Sequence, residues 1–309
     1  MKFAKTAVIL LLSLSFVAVG IFTIAKTMDK KPQNDVSVSD STDSVADANS
    51  DVIADDSEPV VADSQSEPAD VQKIVFDDIS AKDISLLDGT AVTWGPGVNF
   101  NESNQPVACV NLQEKYGDTG AVFINSDDRI YLTFDLGYES GFTNDILDVL
   151  KETNTKAVFF LTGSYAEKQT EIVQRIVSEG HTVGNHSFSH PDMTALSDAE
   201  AVHEITKVHD IIKDNYGYES YLFRFPSGVF SEKTVALAAE NGYRSIFWSF
   251  AYNDWDNANQ PDHTEALTKL CDRLHPGAVY LLHPMETNSR ILKDFITTAK
   301  AKGYEIGIM

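Results

Sequence analysis

The chain has 309 residues, 43% of them hydrophobic, so it can bury one sizeable core or two small ones. Its formal net charge of −22 at pH 7 excludes the basic surface that nucleic-acid binding requires, so no nucleic-acid partner is expected. Much of the negative charge lies in the first part of the chain and describes a segment more than a folded surface.

Residues 1–27 are typical of an export signal. Two lysines precede an uncharged stretch from Thr6 to Ala25, and its length is close to the ~20 residues of a membrane-spanning helix. The stretch continues through Ile21 and Phe22 without an A-x-A cleavage site, which favours a retained signal anchor over a cleaved signal peptide. We therefore expect an extracytoplasmic protein held at the membrane, with secretion after cleavage as the alternative.

The next two segments precede the regular part of the chain. Residues 28–71 consist largely of Asp, Ser, Ala and Val and contain no aromatic residue. Such a segment cannot bury enough apolar surface to offset its ordering entropy, so a disordered acidic linker is predicted, with a partner-binding segment as the alternative. Residues 72–128 show no long period and are predicted to form an irregular arm. The arm either packs on the following domain or shapes a substrate groove through Trp94.

The two cysteines, Cys109 and Cys271, could form a disulfide in an oxidising compartment. However, Cys271 shares a helical face with Leu267, Leu270 and Leu274. It therefore fits equally the role of a small buried hydrophobic residue. The sequence leaves both interpretations open.

Residues 129–309 alternate strand and helix patterns. Apolar runs rich in β-branched and aromatic residues predict seven strands, at 130–134, 157–161, 182–184, 221–225, 245–248, 278–282 and 304–308. Between them lie helix start signals: a capping box from Ser197 to Glu200, and N-caps at Ser231 and Asp262. Alternating strands and helices indicate an α/β fold with a parallel sheet. Seven units favour a closed or nearly closed barrel over an open doubly wound sheet.

Reactive side chains follow the ends of these strands. Asp135 follows the first strand, His186 and His190 follow the third, Asp254 follows the fifth, and His283 ends the sixth. In βα barrels the chemistry lies on the loops at the C-terminal ends of the strands. We therefore expect these side chains to meet on one rim.

His186 and His190 are candidate metal ligands. Positions i and i+4 lie on the same side of a helical turn, so the two imidazoles can converge on one ion. Neutral imidazole is a usual ligand of zinc, and a divalent metal, preferably zinc, is therefore expected. Two loop histidines without a shared partner are the simpler alternative.

The remaining reactive residues suit acid–base hydrolysis. Asp135 is the candidate base that takes a proton from water, and His283 is the candidate acid that protonates the leaving group. Arg224, beside the rigid Pro226, is expected to hold Asp135 ionised. Asp254 is expected to orient His283. A rim salt bridge and a solvated loop acid are the simpler alternatives for Arg224 and Asp254.

The stretches TFDLG, HSFSH, RFPSG, NDW and LLH resemble the five motifs of the polysaccharide deacetylases, carbohydrate esterase family four. The longer stretches TFDLGYESG, GNHSFSHPD and FWSFAYNDW resemble most the muramic-acid deacetylase type of spore-forming bacteria. The resemblance implies a distorted (β/α)7 barrel. It also implies metal-dependent removal of N-acetyl groups from a glycan, with peptidoglycan of the bacterial cell wall as the expected substrate.

The resemblance assigns the base, acid and metal-binding roles to the same residues and adds a substrate-binding set. It implies that the backbone N–H of Ser227, after Pro226, donates to the oxyanion. It places Trp255 in the groove at the acetyl group and Tyr138, in the first motif, among the substrate-binding residues. A half-buried aromatic plug is the alternative for Trp255.

Two positions depart from the family pattern. Leu136 replaces the acid that is the third metal ligand in the family, so the metal is expected to bind more weakly, or the chain is a glycan-binding pseudoenzyme. Glu139 is a candidate substitute ligand, although a surface acid in a turn is the simpler interpretation. Ser227 stands where muramic-acid deacetylases often have arginine. This weakens the preference for N-acetylmuramic acid over N-acetylglucosamine, and another acetylated polysaccharide is a further alternative.

Overall fold

The computed structural model describes residues 84–309. The predicted anchor and acidic linker, residues 1–71, and the first part of the arm lie outside the described residues, and these predictions remain predictions. From residue 84 to residue 309, no helix is long and apolar enough to cross a membrane.

The described part alternates short strands with helices. The strands are β1 (Val92–Thr93), β2 (Ile130–Leu136), β3 (Val158–Leu161), β4 (Thr182–Asn185), β5 (Leu222–Phe223), β6 (Val229–Phe230), β7 (Arg244–Ser245), β8 (Val279–Leu282) and β9 (Ile306–Gly307). The α-helices are α1 (Val107–Tyr116), α2 (Thr143–Glu152), α3 (Gly163–Lys168), α4 (Thr170–Ser178), α5 (Asp198–Tyr216), α6 (Glu232–Glu240), α7 (His263–Asp272) and α8 (Glu286–Ala301).

A curled parallel sheet forms the centre of the fold. Its strand order is β7-β5-β4-β3-β2-β8, and β9 also pairs with β2. Each of these seven strands overlaps one of the predicted apolar runs. Phe250, a few residues beyond β7, pairs in parallel with Tyr280 of β8, which brings the two ends of the sheet together. The prediction of an α/β fold with a parallel sheet is confirmed.

Strand β2 shows how the sequence divides the two faces of the sheet. All its residues are buried, as expected for a parallel strand covered on both sides. Leu132, Phe134 and Leu136 belong to the main hydrophobic core with residues of the surrounding helices. Neighbouring side chains on a strand point to opposite faces, so Thr133 and Asp135 point the other way, into the sheet's concave side.

The arm contributes to the sheet between β7 and β8. Val122 pairs in parallel with Ile246, and the backbone N–H of Asn125 donates to the carbonyl of Gly277 over 2.8 Å. Gly277 has φ +75°, and an added Cβ would lie 2.1 Å from the carbonyl oxygen of Asn125. Only glycine fits this close backbone approach.

Trp94 of the arm is a core residue. Its indole N–H donates to the carbonyl of Trp248 over 3.0 Å, and its ring lies 4.8 Å from that of Phe123. Trp94 therefore holds the backbone of Trp248 in place and does not itself line the cleft. The expectation of an irregular arm missed the ten-residue helix α1, because only Cys109 and Tyr116 of that helix are buried and they form too sparse a pattern.

The predicted helix caps are present, and the two cysteines are unpaired. Ser197 forms the predicted capping box with Glu200, and the side chains of Ser231 and Asp262 cap α6 and α7. Cys109 and Cys271 are both free thiols, so the structure contains no disulfide between them.

Candidate active site

The predicted reactive side chains meet at a cleft of about 1350 Å³, at the C-terminal ends of the sheet strands. Seven of the nine predicted residues line it: Asp135, Tyr138, His186, His190, Ser227, Trp255 and His283. The other two, Arg224 and Asp254, are 0% exposed. Each lies behind the cleft surface and bonds to a residue that lines it.

Arg224 and Asp135 form a buried ion pair. Nη1 of Arg224 lies 2.8 Å from Oδ1 of Asp135 and 2.7 Å from Oγ1 of Thr133. The guanidinium also donates to the backbone carbonyls of Ile246 and Phe247 over 3.0 and 3.2 Å. Burial acts to raise the pKa of Asp135, but the charge and hydrogen bond of Arg224, together with the neighbouring His186 and His283, outweigh it and hold that pKa below its usual value. Asp135 is therefore an ionised carboxylate at neutral pH, as a general base must be.

His186 and His190 are brought together by an irregular loop. The prediction of a shared helical turn is wrong: residues 186–190 are not helical, and Ser187 and His190 have φ values of +64° and +58°. The backbone N–H of His190 donates to Oγ of Ser187 over 3.0 Å. The two imidazole centroids lie 4.8 Å apart, so the two rings lie close together without a helical turn.

The tautomer of His186 bears on whether a cation fits here. Nδ1 lies 2.9 Å from the carbonyl oxygen of Arg224, which can only accept, so Nδ1 carries the proton. Burial lowers the pKa of His186 to about 4, and the ring is neutral at neutral pH. The lone pair of Nε2 then lies 3.5 Å from Oδ2 of Asp135 with no proton between two electron-rich atoms. This donor arrangement fits a bound cation.

The two positions considered for a third protein ligand lie elsewhere. Leu136 is fully buried on the face of β2 opposite to Asp135, so an acid at this position would not point into the cleft. Glu139 accepts hydrogen bonds from the backbone N–H of Gly141 and from the hydroxyls of Thr143 and Tyr165, over 2.7, 2.6 and 2.5 Å, and thereby orders the start of α2. Within residues 84–309, no three His, Cys, Asp or Glu side chains form a metal-binding group.

His283 is held by Asp254 as the sequence suggested. Nδ1 and the backbone N–H of His283 each lie 2.8 Å from one carboxylate oxygen of Asp254. Burial acts to lower the pKa of His283, but the hydrogen bond and charge of Asp254 outweigh it and raise that pKa above its usual value. The ring can therefore carry a proton near neutral pH and present Nε2 to the cleft, as a general acid must.

Two further polar residues, which no sequence signal had indicated, complete this corner. Asn288 donates to Asp254, and Tyr252 donates to Asn288. They lie in α8 and in a loop after β7, and no motif or spacing marks them as partners.

The outer part of the cleft carries the predicted substrate-binding residues. Tyr138 and Trp255 are 53% and 56% exposed, and the Tyr138 hydroxyl donates to the carbonyl of Trp255 over 3.1 Å. Large exposed aromatic rings are suited to packing on apolar ligand surfaces. Ser227 is exposed with φ +53°, in a short turn that β1 of the arm supports through its antiparallel pairing with β6.

The chain is similar to known proteins in sequence and in fold. The polysaccharide deacetylase family model matches residues 124–246. The peptidoglycan-N-acetylmuramic acid deacetylase PdaA of Bacillus subtilis is 37% identical over 217 residues, which cover 69% of this chain and 82% of that protein.

Solved structures agree with the sequence comparison. The structure of Bacillus subtilis PdaA, a family 4 carbohydrate esterase, superposes with a TM-score of 0.68 and 34% identity, and covers 72% of this chain and 96% of that chain. A family 4 pseudoenzyme from Bacillus anthracis superposes with a TM-score of 0.58 and 28% identity, and covers 61% of this chain and 67% of that chain. The chain therefore belongs to the polysaccharide deacetylase family and is a hydrolase of carbohydrate esterase family 4.

Proposed function

We propose that the chain removes N-acetyl groups from a cell-wall glycan, with peptidoglycan as the substrate, in a metal-dependent reaction on a distorted (β/α)7 barrel. The observation that carries this proposal is the pairing, across one cleft, of an ionised buried carboxylate with a histidine poised to carry a proton. Asp135 is the carboxylate and His283 is the histidine. Amide hydrolysis requires such a base and such an acid.

The metal-binding residues are His186 and His190, and zinc is the expected ion. When bound, a divalent metal supplies Lewis acidity that polarises the acetyl carbonyl. The rest of the chemistry belongs to side chains of this chain. Asp135 takes a proton from the attacking water, and Arg224 keeps that carboxylate ionised before the step.

The carbon–nitrogen bond of the acetamide breaks next, with His283 as the acid. Water oxygen bonds to the acetyl carbon, and the backbone N–H of Ser227 donates to the oxygen that gains negative charge. His283 gives its proton to the amide nitrogen as the carbon–nitrogen bond breaks. The products are acetate and a free amino sugar. Tyr138 and Trp255 provide the surface on which the sugar packs.

Both N-acetylmuramic acid and N-acetylglucosamine residues are candidate substrates. The relative PdaA acts on N-acetylmuramic acid by name, whereas a relative from Bacillus cereus, 37% identical over 155 residues, is named a peptidoglycan-N-acetylglucosamine deacetylase. Ser227 favours neither sugar through charge. The apolar stretch at 6–25 supports an enzyme anchored to the outer face of the bacterial cell membrane, with a secreted form as the alternative.

Acetate release from purified peptidoglycan, with and without added zinc, tests the proposal. We expect release that depends on the metal, and about 10²–10⁴-fold lower turnover in Asp135→Asn and His283→Ala. Both variants should still bind glycan in a pull-down assay. A folded wild-type protein that binds glycan but releases no acetate at saturating zinc would support the pseudoenzyme alternative instead.

A further inference from the structure

The carboxylate of Asp254 is buried without a lysine or arginine partner among the described residues. Its two oxygens accept three hydrogen bonds there, two from His283 and one from Asn288. A buried carboxylate depends on such donors because it has lost its water. Among the described residues, Asn288 is thus the one donor to the Asp254 carboxylate besides His283 itself.

The amide of Asn288 has one possible orientation. Nδ2 lies 2.6 Å from Oδ2 of Asp254 and 2.8 Å from the backbone carbonyl oxygen of His283. Both of these oxygens are acceptors, so the amide nitrogen must face them. The amide oxygen then accepts from the Tyr252 hydroxyl over 2.5 Å. Asn288 itself is 1% exposed, so water does not compete for these bonds.

One amide group therefore holds His283 at two points. It fixes the backbone carbonyl of His283 directly, and it fixes the carboxylate that binds the Nδ1 side of the ring. Asn288 lies in the first turn of α8, five residues after His283, where the helix itself provides a rigid base. The direction of Nε2 into the cleft follows from these contacts.

We propose that Asn288, oriented by Tyr252, is a positioning residue for His283 in the deacetylation reaction. The proposal rests on the proposed function, because it takes His283 to be the acid. A positioning residue affects the step in which the acid gives its proton and leaves substrate binding intact. A purely structural asparagine would lower the stability of the protein without a selective effect on that step.

The first test is Asn288→Leu, which keeps the number and branching of the side-chain heavy atoms and removes both donors and the acceptor. We expect kcat to fall by about 10–100-fold, the range seen when the partners that orient metal-binding side chains are removed, with KM within about twofold of wild type. Ser289→Ala is the matched control, because within residues 84–309 its hydroxyl bonds only to the carbonyl of Glu286 in the same helical turn. It should keep wild-type kcat. Equal kcat in Asn288→Leu and wild type would overturn the proposal.

A double-mutant cycle separates positioning from general structural damage. In a His283→Ala background, Asn288→Leu should cause no further loss of the residual rate, because the residue it positions is already absent. Additive losses would overturn the proposal. If Asn288→Leu does not fold, Tyr252→Phe replaces it in the same cycle, since it removes a single hydroxyl. Near wild-type turnover in His283→Ala would refute the acid itself, whereas an impaired His283→Ala with normal Asn288→Leu refutes only the positioning role.

Discussion

Nη1 of Arg224 lies 2.8 Å from Oδ1 of Asp135, and this buried ion pair lies at the floor of the cleft. The guanidinium is enclosed by the ring of Phe160, 4.2 Å away, and by backbone carbonyls of the sheet. The ionised state of the candidate base Asp135 therefore depends on Arg224, a residue of the core. Stability and chemistry depend on the same contact.

Arg224→Met should destabilise the protein strongly. The substitution leaves Asp135 buried without a counter-ion, which typically costs about 3–5 kcal/mol in the free energy of unfolding. Because the folded pKa of Asp135 is lowered, the pair stabilises the protein at pH above the usual carboxyl value, and this contribution is lost as the pH falls through the folded pKa. Urea unfolding at pH 7 measures the change. Lys293→Met, at an exposed surface pair with Glu152, should cost less than about 1 kcal/mol; equal losses would contradict the expectation.

His186→Ala and His190→Ala should each lose metal and acetate release together. With one imidazole left, too few protein ligands remain to hold the ion. Metal content after dialysis and acetate release are the two measurements. His263→Ala, an exposed histidine bonded to Glu286, should leave both unchanged. A variant of either site histidine with full metal stoichiometry would show that the two do not form the site.

Leu136→Asp should destabilise the protein and leave metal affinity unchanged. The position is buried in the apolar core, and an acid there costs about 3 kcal/mol or more because it has no partner. Gly137→Asp is the matched comparison: Gly137 lines the cleft, and an added Cβ would meet only Thr162, at 3.9 Å. We expect this second variant to fold normally. Tighter zinc binding by Leu136→Asp in a calorimetric titration would show that position 136 faces the metal after all.

His181 should make stability depend on pH. Its side chain is 3% exposed, and burial lowers its pKa to about 4 from 6.5. Below pH 6.5 the unfolded state therefore binds the proton first, and the free energy of unfolding falls until the pH reaches about 4. Between pH 7 and 5 this residue should account for about 2 kcal/mol.

The measurement is urea unfolding of wild type and His181→Phe at both pH values, in the presence of a chelator. His181→Phe loses an acceptor for the backbone N–H of Ala157, so its stability falls at both pH values, but its dependence on pH should be weaker. The exposed His203→Gln should retain the wild-type dependence. An unchanged slope in His181→Phe would mean that His181 titrates alike in both states.

The sheet could be predicted because buried parallel strands are continuous apolar runs that are easily separated from helices. The site residues could be predicted where they lie at the C-terminal end of such a strand, as Asp135 does in β2, or directly follow it, as His283 follows β8. The path of the chain from His186 to His190 could not, because left-handed backbone at a serine and a histidine has no sequence signal. The direction of Leu136 could not be predicted either, since the strand continues two residues beyond the apolar run at 130–134.

Asn288 shows a second limit of the sequence. Its role depends on three polar atoms, two from the loop after β7 and one next to the end of β8, and only the fold brings them to the first turn of α8. Trp94 is similar, because its partner Trp248 lies 154 residues away. Periodic patterns in the sequence predict strands and helices, whereas a single long-range hydrogen bond produces no periodic pattern in the sequence.

The contact between Trp94 and Trp248 also has a kinetic consequence. The arm contacts Trp248 through Trp94 and Gly277 through Asn125. It can therefore pack on the sheet only after these two residues have been synthesised and have joined the sheet. Closing such long loops is costly in entropy, and folds rich in distant contacts form slowly. The arm is therefore expected to dock late in folding. Since Trp248 lines the cleft, the substrate-binding surface would be completed only in that final step. A chain shortened past Trp94 would form the sheet but lack the support that holds Trp248 in the cleft wall.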